Sequence, residues 1–310
     1  MSKVLVTCPP MLGQIGLFED RFAQLGWDVT AAQVVQTLSE DELMTMLPEY
    51  DGWIIGDDPA TEQVFKAGQA GKLRAAVKWG IGVDNVNFAA CKALGIPISN
   101  TPNMFGAEVA DLGITYVLSL AREAFRIDRE IRAGGWPKPA GISPAGRTLG
   151  LIGLGDIGRN LAKRALACGL KVIAYDPGFA TPPGELDIEI ANWPERIGEA
   201  DFLAFTCALN ANNRHMLNAD TLAQAKDKVR VVNVARGPLI DEQALIAALQ
   251  SGKVHSAALD VFEIEPLPAE SPLRTMDRCI FGSHNGSNTV DGVIRASERA
   301  IELLDGYLRS

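Results

Sequence analysis

The sequence predicts an α/β protein made of two doubly wound parallel-sheet domains, and three observations carry that reading. Short apolar runs alternate with amphipathic segments along almost all of its 310 residues, as expected of strands layered with helices. The alternation falls into two sets, separated by a helical stretch and the break GGWPKPAGISPAG at 134–146, with three prolines and four glycines. The second set opens on TLGLIGLGDIG at 148–158, a glycine pattern placed between an apolar run and a helix-like segment.

The elements follow in chain order. Residues 4–7, 29–33, 52–55, 75–79 and 96–98 read as strands, with helical segments between them, such as 15–25 and 61–69. This block suffices for a small parallel sheet. One long helix is expected from Phe105 to Arg132, because Val109, Leu112, Tyr116, Leu120 and Ala124 fall near one helical face. After the break, strands are expected at 148–153, 171–175, 202–206, 229–234, 256–260 and 279–282, and a single helix at 287–308. Six strands with intervening helices match a doubly wound nucleotide-binding domain.

Composition narrows the partners. Apolar residues make up 47% and charged residues 22%, which is ordinary for a globular chain and fits neither disorder, collagen, coiled coil nor a membrane protein. Lys plus Arg number 29 against 38 Asp plus Glu, a net charge of -9, which argues against broad contact with nucleic acid or anionic lipid. The opening MSKVLVTCPP is too short an apolar run for a signal peptide, and no later segment approaches a membrane span. Cysteines at 8, 91, 168, 207 and 279 are scattered and form no CxxC pair. The expectation is reduced thiols, a cytoplasmic protein and no metal site.

Gly153, Gly155 and Gly158 satisfy GxGxxG. The first permits a tight turn, the second lets backbone approach a pyrophosphate, and the third lets helix and strand pack closely. Amides at the start of the following helix, 159–168, attract the anion. Asp156 suits a helix N-terminus, and its side chain is expected to point to solvent. The next strand, KVIAYD, ends at Asp176. A carboxylate there accepts hydrogen bonds from both adenosine ribose hydroxyls and repels a 2′-phosphate, so NAD is expected rather than NADP.

Three downstream segments follow predicted strand ends: NVARGPLIDEQAL with Arg236, ALDVFEIEP with Asp260 and Glu265, and FGSHNGSN with His284. Reduction of a 2-keto acid needs a cation for the carboxylate and ketone, which Arg236 offers through its donor fork. It also needs a proton donor, which His284 offers as imidazolium. Glu265 can bond the other ring nitrogen and favour the charged form. Singly, each such residue is more often a surface or packing residue; their joint placement behind a dinucleotide fingerprint makes the case. The other two histidines are His215, in a polar loop, and His255, at a strand start; neither is assigned a role.

At these residues the sequence resembles the D-isomer-specific 2-hydroxyacid dehydrogenase family. KWGIGVDNVN (78–87), GLGDIGR (153–159), NVARG (233–237), LDVFEIEP (259–266) and SHNG (283–286) carry the resemblance across nearly the whole chain. It implies a Rossmann NAD-binding domain at 100–285 and a smaller flavodoxin-like substrate domain at 1–99 plus 286–310, joined by a two-crossing hinge. Arg236, Glu265 and His284 become the catalytic set. Cofactor contacts are implied for Gly153, Gly155, Asp156, Ile157, Gly158 and Asp176, and for Cys207, Val234, Ala235, Arg236, Asp260, His284 and Gly286 toward the nicotinamide end. The backbone of Ile81 and Gly82 would take the substrate carboxylate, alongside Arg236 and His284. A homodimer packed through the helix beginning near Phe105 is also implied. The sequence departs from the family at Thr206-Cys207-Ala208, where His-x-Pro is frequent, at Asp111, where glutamate is common, and at Asn285.

The substrate stays open between 3-phosphoglycerate and glycerate/hydroxypyruvate. Lys78, or Lys138 across a dimer, is placed to meet a phosphate, whereas Asp57 and Asp58 would oppose one. Glu265 speaks against the formate-oxidising branch, which pairs its histidine with glutamine. No C-terminal amino-acid-binding domain is expected. An NADH-sensing corepressor-like binding protein on the same fold is the alternative, and a subunit that has lost its chemistry is a third reading.

Overall fold

The computed structural model describes residues 1–184 and 186–310, and the chain divides into two units, Met1–Met104 with Asn288–Ser310 and Phe105–Ser287. In the first unit, β1 (Ser2–Val6), β2 (Trp27–Ala31), β3 (Gly52–Ile55), β4 (Ala75–Lys78) and β5 (Ile98–Asn100) pair in parallel in the order β2-β1-β3-β4-β5. This is the flavodoxin-like order, reversing between β1 and β3. All four residues of β3 are buried, which is why this strand reads as a continuous apolar run rather than an alternation. The closing helix, Val290–Arg309, begins at Thr289, whose Oγ1 accepts from Gly292 N at 3.1 Å. It lies on the sheet: a Cβ on Gly52 would stand 3.1 Å from Leu304, and Trp79 Nε1 donates to Ser297 Oγ at 3.0 Å.

The second unit contains β6 (Thr148–Ile152), β7 (Lys171–Tyr175), β8 (Glu189–Ile190), β9 (Phe202–Phe205), β10 (Val229–Asn233), β11 (Val254–Leu259) and β12 (Cys279–Phe281). They form a parallel sheet in the order β12-β11-β10-β9-β6-β7-β8. The order reverses between β6 and β9, the Rossmann switch point, and ligands of such sheets bind beyond the strand carboxyl ends there. The sheet has seven strands where six were expected, because the two-residue β8 is too short to leave a pattern.

Two helical expectations need correction. Residues 15–25 form a 3-10 turn at Ile15–Phe18 and a helix at Glu19–Leu25, preceded by a short helix at Pro9–Leu12. The long helix divides into Gly106–Arg122 and Ala124–Arg132, because Glu123 sits at φ 57°. A left-handed residue that is not glycine leaves no sequence signal, and the second helix buries no residue.

Among the described residues, no helix is long and apolar enough to cross a membrane, and no three His, Cys, Asp or Glu side chains are grouped to hold a metal ion. All five cysteines are free.

His255 makes a stability prediction. Burial, reinforced by Arg230, Arg278, Lys228 and Arg126, pushes its imidazole down from 6.5 to about 4. The unfolded chain therefore binds a proton that the folded chain refuses. The stabilisation from neutral His255 is complete above pH 6.5 and lost as pH falls toward 4. Urea titrations should show the wild type losing about 1–2 kcal/mol more than His255→Gln between roughly pH 7 and 5. Equal losses would mean that His255 protonates freely in the folded state.

Candidate active site

The loop after β6 is built by exclusion. Gly153 has φ +98°, and a Cβ there would lie 2.6 Å from Cys207 N. A Cβ on Gly158 would lie 2.1 Å from Gly153 O. Thr206 Oγ1 donates to Gly153 O at 2.9 Å, fastening the turn. Gly155 is different: it is exposed, precedes the helix Asp156–Ala167, and a Cβ there would meet nothing within 4 Å. Packing does not demand glycine at this position, whereas close approach of a ligand to the backbone does.

Asp176 closes the loop. Its Oδ2 accepts from Leu154 N at 2.7 Å and its Oδ1 from Gly178 N at 2.9 Å. Each oxygen keeps a further lone pair for a ribose hydroxyl. Open backbone at Gly155 beside an oriented carboxylate fits an NAD molecule. Asp156 departs from expectation. Its carboxylate faces the first turn of helix Gly106–Arg122, since a Cβ on Gly106 would lie 2.2 Å from Oδ2, and Asn160 Nδ2 donates to Oδ1 at 3.3 Å. A helix N-terminus favours that anion, so the side chain turns inward rather than to solvent.

Arg236, Glu265 and His284, far apart in sequence, come together beyond β10, β11 and β12. Asn233, the last residue of β10, shapes the arginine turn: its Oδ1 accepts from Ala235 N at 3.0 Å, and its Nδ2 donates to Arg236 O at 2.9 Å. Arg236 Nη1 donates to Ala235 O at 2.9 Å and lies 3.4 Å from His284 Nε2. His284 has φ 56°, and its amide donates to Asp260 O at 2.6 Å. Its Nδ1 is 2.8 Å from Glu265 Oε2, while Glu265 Oε1 accepts from Phe262 N at 2.9 Å. The ring is thus backed by a carboxylate on one nitrogen and presents the other beside a guanidinium, which suits proton exchange with an anionic ligand.

Asp260 is 2% exposed, and burial raises its carboxyl above the usual range. It accepts from Asn285 N at 3.1 Å and Gly286 N at 2.9 Å, so it holds the turn that carries His284. Cys207 adjoins Gly153, with its thiol pushed up to about 11 by burial, and Val234 and Ala235 are buried beside Arg236. Gly237 lets two loops meet: a Cβ there would lie 1.9 Å from Phe262 C and O. Gly237→Ala is therefore expected to destabilise the protein by about 1–3 kcal/mol or more, measured by chemical denaturation. A loss within about 0.5 kcal/mol would show that the loops are not locked together.

Lys78, Ile81 and Gly82 belong to the first unit. Lys78 does not offer the expected cation. Its ammonium is buried, donating to Gly56 O at 2.6 Å and Asp57 Oδ1 at 3.0 Å. Asp58 is also turned inward, onto Thr7 Oγ1, Leu38 N and Gly56 N. Lys138 is exposed in the second unit. Sequence reasoning missed a second histidine–carboxylate pair, His215 Nε2 with Glu263 Oε1; its members lie 48 residues apart, and neither sits in a recognisable local pattern.

Residues 114–286 match the family model described as D-isomer specific 2-hydroxyacid dehydrogenase, NAD binding domain. The chain is 39% identical over 270 residues to a hydroxypyruvate reductase of Thermotoga maritima, covering 86% of this chain and 87% of the relative. It is 34% identical over 314 residues to a D-3-phosphoglycerate dehydrogenase of Methanocaldococcus jannaschii, covering all of this chain but only 58% of that longer protein. The crystal structure of a glyoxylate reductase from Paecilomyes thermophila superposes with a TM-score of 0.84 at 27% identity, over 100% of this chain and 96% of that one. The chain therefore belongs to the D-isomer specific 2-hydroxyacid dehydrogenase family of NAD-dependent oxidoreductases.

Proposed function

We propose that the protein reduces a small unphosphorylated 2-keto acid of the hydroxypyruvate or glyoxylate class to its D-2-hydroxy acid. The observation that carries the reading is the line Glu265–His284–Arg236, with 2.8 Å and 3.4 Å at its two junctions. Arg236 holds the carboxylate and polarises the ketone. His284 gives its proton to the ketone oxygen, and Glu265 stabilises the imidazolium before transfer. Bound NADH supplies the hydride. Gly153, Gly155, Gly158 and the backbone of Asp156 and Ile157 would hold its pyrophosphate, Asp176 its adenosine ribose, and Cys207, Val234, Ala235, Arg236, Asp260, His284 and Gly286 its nicotinamide end. The capture of Lys78 by Asp57 supports an unphosphorylated substrate, as do the names of the Thermotoga and Paecilomyes relatives.

Initial rates with glyoxylate, pyruvate, hydroxypyruvate and phosphohydroxypyruvate test this. The highest kcat/KM is expected with hydroxypyruvate or glyoxylate. Preference for phosphohydroxypyruvate would overturn the substrate class. NADH binding without turnover across a wider keto-acid panel would favour the corepressor-like reading. Asp176→Ala is expected to narrow the NADH over NADPH preference in kcat/KM by about tenfold or more, as hydrogen bonds to a charged group are lost. An unaltered ratio would place the discriminator elsewhere.

A cytoplasmic homodimer completes the proposal. Exposed Phe125 and Ile131, on the helix that buries nothing, and Trp136 beyond it support it. A monomer mass at micromolar concentration in sedimentation equilibrium would refute that assembly.

A further inference from the structure

We infer that His215 is a positioning residue for proton transfer: paired with Glu263, it holds the turn Phe262–Glu265 that carries the carboxylate behind His284. This rests on the roles just proposed for Glu265 and His284.

His215 is aimed from both sides. Its backbone sits at φ 52°, a conformation that a residue other than glycine keeps only when its surroundings enforce it. Its amide donates to Pro238 O at 2.8 Å, and its carbonyl accepts from Asn218 Nδ2 at 3.0 Å. So held, the ring places Nε2 on Glu263 Oε1. Pro238 is two residues beyond Arg236, and Gly237 between them packs directly on the backbone of Phe262 and Glu263. A closed circuit results. The arginine loop holds His215, His215 holds Glu263, and the backbone of Glu263 and Phe262 rests on the arginine loop.

The circuit governs Glu265 through one bond, Phe262 N to Glu265 Oε1 at 2.9 Å. A displaced turn carries that amide away and withdraws Oε2 from the imidazole. Electrostatics makes the turn dependent on His215. Glu263 N donates to Glu242 Oε2 at 3.4 Å, so two carboxylates gather there, and burial with the charge of Glu263 raises the Glu242 carboxyl. Without a donor from His215 the Glu263 carboxylate loses its partner and repels Glu242. Among the described residues of this unit, the charged groups that face His284 include Glu265, Arg236 and Asp260. His215 acts on it only through Glu265.

The chain has three histidines, so single substitutions assign every imidazole signal in an NMR titration, which needs no substrate. Glu265→Gln should lower the His284 midpoint by about one unit. His215→Ala should lower it in the same direction, by roughly half a unit or more. His215→Gln, whose amide still donates to Glu263, should titrate like the wild type. Should His215→Ala fail to fold, His215→Asn, too short to reach Glu263, takes its place. With the preferred keto acid, kcat should follow the midpoint while NADH affinity stays constant. A His284 midpoint unchanged in His215→Ala, or a His215→Gln variant that falls with it, overturns the inference. Absence of wild-type turnover would instead strike the proposed function and leave the titration to decide the role of His215.

Discussion

His284→Ala should lower kcat for keto-acid reduction by at least about 100-fold, the lower end of what general acid catalysis supplies. The geometry suits His284 to the task. Nδ1 is committed to Glu265 at 2.8 Å, and Nε2 stands 3.4 Å from the guanidinium expected to hold the substrate. In the proposed mechanism Glu265 would favour an imidazolium and Arg236 would oppose it until an anion offsets the guanidinium charge. Alanine removes the proton donor but leaves the dinucleotide loop untouched, so NADH affinity should fall far less than kcat. A folded variant with near-normal kcat would remove His284 from the mechanism.

Arg236→Lys should lower kcat/KM by roughly 100-fold, the equivalent of one to two lost hydrogen bonds to a charged group. The loop presents a planar fork, with Nη1 bonded back to Ala235 O at 2.9 Å and lying 3.4 Å from His284 Nε2. Lysine keeps the charge but is a point donor on a flexible stem, so it cannot hold carboxylate and ketone together. Equal kcat/KM for the two enzymes would refute the fork. A loss confined to KM would show that Arg236 binds the ground state and the transition state equally.

Much of this site was legible because the physics that shapes it is local. A fully buried parallel strand must be an apolar run, so the span expected at 52–55 is the span of β3. A tight strand-to-helix turn needs glycine where Cβ would collide, as at Gly153 and Gly158, and the carboxylate expected beside it, Asp176, directly follows the next strand. Less was legible where a side chain chooses between partners distant in sequence. The sequence suggests Lys78 as a cation for substrate, yet Gly56 O and Asp57 hold it. The break at Glu123 went unseen because its left-handed backbone lacks glycine. The pairing of His215 with Glu263 joins loops after β9 and β11, and periodicity carries no information about such a meeting.

By itself the sequence determined the two alternating sets of strands and helices, the dinucleotide turn with its acidic partner, and the residue types available for proton transfer. Each of these follows from burial, backbone sterics or intrinsic chemistry within a few residues. The tertiary structure alone decided that Arg236, Glu265 and His284 meet, that Lys78 and Asp156 turn inward, and that His215 pairs with Glu263. Those outcomes depend on strand order and on competition among charges brought together from separate loops, which only the folded chain resolves.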